Sequence, residues 1–88
     1  MLDLSQIQEL VTGIHSAALK ILVHARLDRA SRQELQQIVE ESAEALRAIS
    51  EIKAAKRNPG SYEGALTRFF DFLCRVTPII SRFRGDEN

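Results

Sequence analysis

A single cysteine, Cys74, excludes an internal disulfide framework and any zinc site built on cysteine pairs. Tryptophan is missing, and four phenylalanines and one tyrosine are the only aromatics. The four glycines are scattered, which leaves no glycine-rich loop to cradle a phosphate. No apolar run approaches the ~20 residues that cross a bilayer. The opening Met1-Leu2-Asp3-Leu4-Ser5 lacks the basic start and long apolar stretch of a signal peptide, so a cytoplasmic location is expected. Neither charge is in excess. Twelve basic and twelve acidic side chains cancel, and the segments 1–30, 31–57 and 58–88 are each balanced. A neutral chain with pI near 6.7 offers no electrostatic footprint for nucleic acid and no polybasic run for a membrane surface. With 88 residues and 9.9 kDa there is room for one small domain, 1–88.

What the chain does have is helical spacing. Leu4, Ile7, Val11, Ile14, Ala18, Ile21 and Ala25 step by three and four, with Asp3 and Ser5 both suited to cap the first helix. Residues 26–30 break the pattern and read as a connection. Ser31-Arg32-Gln33-Glu34 has the form of a capping box and is expected to start the second helix. Its apolar line is Leu35, Ile38, Ser42, Ala45, Ile49 and Ile52. Asn58-Pro59-Gly60 ends it, because the residue before a proline is pushed out of the α region. Ser61 can cap a third helix carrying Tyr62, Leu66, Phe69, Leu73, Val76, Ile80 and Phe83. The spacing thus predicts helices over 4–25, 31–57 and 61–83, a frayed tail over 84–88, and an all-α, antiparallel, up-down-up three-helix bundle. The regular three-four steps resemble coiled-coil heptads. No motif assigns the chain to a family.

Pro78 conflicts with this pattern, because it removes a backbone hydrogen bond inside the third helix. At ~100° per residue it lies about 165° from the centre of the apolar stripe, where a kink is tolerated. A break near Cys74–Thr77, with a short fourth helix starting at Pro78, is the alternative. Charges give a further expectation. An antiparallel second and third helix joined at Asn58-Pro59-Gly60 would set Glu51 opposite Arg68, Glu44 opposite Arg75 and Gln37 opposite Arg82.

Chemistry is sparse. His15 and His24 are nine residues apart and point to opposite sides of one helix, so they cannot share a metal. His15 reads as a solvated surface residue, His24 as a core-edge residue, and Cys74 as an inert, partly buried thiol. Glu40, Glu41 and Glu44 sit on one polar face without a cleft to separate their pKa values. The chain is read as a non-enzymatic protein with no catalytic, metal or cofactor site and no small-molecule substrate.

The apolar surface is broad. In the third helix the arc from Ile79 and Phe72 through Leu73 to Phe70 and Cys74 covers about 220° of the wheel, against a usual ~100° for a surface helix. In the first helix, Leu19 and Val23 lie about 120° or more off the main stripe. Either the third helix is the central one, covered on two sides, or a partner covers the surplus. The expected function is a helical protein-protein interaction module, self-associating or docking on another protein as small adaptors, antitoxins, immunity proteins and chaperones do. Ala65, Phe70 and Phe72 with Ile79 would form its face, Leu19 and Val23 a second patch, and Arg68, Arg75 and Arg82 the rim. A regulatory nucleic-acid binder using those three arginines is the alternative.

Overall fold

Apolar side chains recurring at three and four can be covered only by packing helices stripe to stripe. The computed structural model describes residues 3–55 and 63–85, and it holds three helices and no strand among them. They are α1 (Leu4–His24), α2 (Arg29–Ala55) and α3 (Glu63–Gly85). The molecule is an antiparallel three-helix bundle extending 44 × 21 × 17 Å. None of the described helices is long and apolar enough to cross a membrane. The expected stop at Asn58-Pro59-Gly60 and cap at Ser61 lie outside the described residues, as do the last three residues of the expected tail. Arg84 and Gly85 belong to α3 instead.

Asp3, rather than Ser5, caps α1. Its carboxylate accepts from the Gln6 N–H at 2.8 Å, and the Gln6 side chain accepts from the Asp3 N–H at 2.9 Å. At the far end the Ala25 N–H returns to the Ile21 carbonyl and the chain turns extended. α2 starts earlier than the capping-box sequence suggests. Asp28 accepts from the Ser31 N–H at 2.8 Å on its side chain and from the Arg32 N–H at 3.0 Å on its backbone carbonyl. The cap therefore lies three residues upstream, where the Asp28 carboxylate also suits the positive end of the helix dipole, and Ser31 becomes part of the first turn. Glu34, which would have closed the expected box, reaches across to Arg82 instead.

The core has two layers. Ile7 and Val11 of α1, Ile49 of α2, and Phe69 and Leu73 of α3 form the lower one. Ala18 and Ile21, Leu35 and Ile38, and Val76 and Ile80 form the upper. Every one of these positions belongs to the spacing read from sequence. Other positions of the three stripes, Leu4, Ala25, Ala45, Ile52 and Leu66 among them, are half-buried.

Which helix is central differs from the broad-stripe expectation. α1 packs closely on both α2 and α3, whereas α2 and α3 stand further apart and meet through side chains. α3 is therefore a flank. Its width is used partly on α1, partly along the gap to α2, and partly on solvent. Pro78 sits inside α3 without ending it, so the alternative of a break and a fourth helix is excluded. The ring is exposed, and the Cys74 carbonyl that it leaves without an N–H is on an exposed turn where water can serve it.

Two outcomes are expected from these features. Pro78→Ala should raise the unfolding free energy measured in urea by up to ~3 kcal/mol, since the helix continues and gains a bond. A decrease would show that the path of α3 needs the ring. The Asp28 carboxyl is held below its ordinary value first by the Ser31 backbone N–H and then by the Ser31 hydroxyl. A lowered folded-state pKa means stability present above the carboxylate range and lost as pH falls through it. Asp28→Ala should thus destabilise more than Ser31→Ala at pH 7, and its deficit should narrow in acid unfolding curves.

Candidate functional site

Arg68, Arg75 and Arg82 are seven residues apart, so they line one edge of α3; Glu34 and Glu41, also seven apart, line the facing edge of α2. The Arg75 guanidinium pairs with the Glu41 carboxylate, and Arg82 Nη2 lies 3.3 Å from Glu34 Oε1. Each arginine also rides over an aromatic ring of its own helix, Arg75 at 5.8 Å from the Phe72 centroid and Arg82 at 5.5 Å from that of Phe83. The antiparallel pairing is as expected, but the register is not. Glu41 takes the place foreseen for Glu44, and Glu34 that foreseen for Gln37, a shift of nearly one turn. Exposed pairs of this kind contribute only ~0.2–1 kcal/mol, so they follow the register set by the two apolar layers. Arg68, expected opposite Glu51, has no carboxylate at ion-pair distance among the described residues.

Between these edges runs an open groove of about 550 Å³. Ala45 and Ala48 on α2 and Phe69 and Phe72 on α3 make its apolar surface. Glu41 and Glu44 line one wall, and Arg68, Asp71 and Arg75 the other. Past the Arg75–Glu41 pair it continues into a smaller space of about 160 Å³ beside Ile38, Val76 and Ile79. α1 contributes to neither.

The expected interface residues fall into three places. Phe72 and Ile79 are half-buried along this groove, Phe72 touching both core layers. Ala65 is half-buried at the edge of the lower layer. Phe70 points away and is 49% exposed. Leu19 and Val23 are 42% and 74% exposed on the outer side of α1. They are not one continuous face. Leu10, 48% exposed, was absent from the expected set.

Three polar residues differ from their sequence readings. His15 is half-buried rather than solvated, with Nδ1 2.8 Å from Ser42 Oγ. Ser42 is fully buried and donates its one hydroxyl proton to the Val39 carbonyl at 2.9 Å. His24 is exposed in the last turn of α1, and Cys74 is an exposed free thiol rather than a partly buried one. Among the described residues no three of His, Cys, Asp and Glu come together as a metal site would require. A scan of protein-family models, curated proteins and solved structures finds no match to this chain, so its geometry has to carry the functional reading.

Ser42→Ala removes the hydrogen-bond partner of the half-buried His15 ring and should cost ~1–3 kcal/mol of unfolding free energy in urea. Glu41→Gln breaks an exposed pair and should cost under ~1 kcal/mol. The reverse order would mean that the α2–α3 ion pairs, not the buried polar contact, hold the register.

Proposed function

We propose that this chain is a non-enzymatic helical module that binds protein, by self-association or by docking on another chain. The observation that carries this reading is Val23, 74% exposed, together with Leu10, Leu19 and Phe70 at nearly half exposure, on a bundle whose core layers are otherwise closed. They lie at separate places, Leu19 and Val23 on the outer side of α1 and Phe70 on α3, and large apolar side chains left in solvent are the groups a partner can cover. Small size favours the same view. A domain of this length buries only about 60–65% of its unfolded surface and gains from further burial. The exposed thiol of Cys74 fits a reducing, cytoplasmic setting, which is part of the proposal.

A nucleic-acid role is the weaker alternative. Arg75 and Arg82 are each committed to a glutamate, and the carboxylates beside them would meet phosphates with the wrong charge. A small-molecule or membrane partner has no supporting feature in the described surface.

The test is the solution mass by light scattering over a dilution from ~100 μM to ~1 μM, in wild type and in the exposed-site variants Val23→Asp and Phe70→Asp. Self-association is expected to show as a concentration-dependent mass, with the association constant at least ~10-fold lower in one of the variants. A monomer at every concentration would remove the homotypic form and leave docking on a different chain. Association unchanged in both variants would overturn the assignment of these faces.

A further inference from the structure

Resting on the interaction reading, we propose that the groove between α2 and α3 receives one amphipathic helix of a partner protein, with an apolar seam edged by acidic residues on one side and basic residues on the other. The packing of the bundle points there first. α1 touches both neighbours closely while α2 and α3 meet mainly through side chains, so the α2–α3 seam is the more open side of the bundle. That seam is the groove. Its extent from Arg68 to Ile79 spans twelve residues of α3, about 16 Å, or three helical turns. Ala45 and Ala48 give the α2 side a low wall that lets another backbone approach, and Phe72 supplies an aromatic anchor.

Charge then specifies the occupant. Glu41 and Glu44 on α2 face the basic edge of an incoming helix, and Arg68 and Arg75 on α3, which outnumber Asp71 between them, face the acidic edge. In the free protein the Arg75–Glu41 pair bridges the groove, with the arginine side chain 61% exposed. Docking would exchange that pair for one partner carboxylate on Arg75 and one partner cation on Glu41, without disturbing either core layer. The two edges also encode direction, because turning a helix end for end swaps them. Peptides with exchanged edges should consequently lie in opposite directions in the same groove.

The probes are designed Leu-seam helical peptides of ~18 residues, one with Lys and Glu on opposite edges, one with the edges exchanged, and two with both edges of a single sign. They would be titrated at low salt into isotopically labelled full-length protein and followed by amide shifts. Both mixed-edge peptides are expected to shift Ala45, Ala48 and Phe72, and to bind at least ~10-fold more tightly than either single-sign peptide. A spin label at the peptide N-terminus is expected to broaden opposite ends of the groove for the two mixed peptides. Ala48→Glu should abolish the shifts while circular dichroism stays helical, and Arg75→Glu should favour the all-Lys peptide over the mixed ones. Equal affinity for all four peptides, one direction for both mixed peptides, or no effect of Ala48→Glu would overturn the proposal. Shifts confined to Leu19 and Val23 would overturn the groove while leaving the interaction role in place. Self-association of the protein alone that vanishes in Ala48→Glu would replace the partner helix with a second copy. With no peptide bound and a monomer at every concentration, both readings would fall.

Discussion

The bundle depends on α1 being covered from two sides at once. Ile7, Val11, Ala18 and Ile21 form a narrow line that neither α2 nor α3 alone could seal, and both layers of the core meet on it. Because α1 takes the middle, α2 and α3 are held by what they share with it rather than by each other. Their antiparallel register, the height at which Arg75 meets Glu41, and the width of the gap between them all follow from that arrangement.

Ser42 sharpens the same constraint. A fully buried hydroxyl in an otherwise apolar line is tolerated because Val39 and His15 satisfy it, and no buried side-chain nitrogen or oxygen among the described residues lacks a partner. Apolar contacts between helices slide at small cost, but a hydrogen bond of 2.8 Å from α1 to α2 does not. The surface ion pairs sit at the other extreme. They are exposed, cheap to break, and lie along the lip of the α2–α3 groove.

Much of this was legible from residue order. The three- and four-residue steps located every buried apolar position of the core, and the wheel position of Pro78 placed it on the solvent side. Leu19 and Val23 stood off their stripe, Phe70 lay at the edge of its broad one, and all three are exposed. Other features were hidden for identifiable reasons. Asp28 and Ser31 are equally acceptable caps by type, and only the folded backbone shows that the helix starts from Asp28. Leu10 has the spacing of a core residue, yet α3 does not extend over it. His15 sits about 80° from Ile7, a direction that is solvent or neighbour depending on where α2 lies.

By itself, then, the sequence determined the number of helices, their apolar faces and the inward and outward sense of nearly every large side chain. It did so because a period of 3.6 residues converts spacing directly into angle within one helix. Only the tertiary structure decided that α1 is central, that Glu41 rather than Glu44 meets Arg75, and that α2 and α3 leave a groove edged with opposite charges. Those are relations between helices. They depend on how far each stripe is covered and at what height the layers interlock, and an angle on one wheel carries neither quantity.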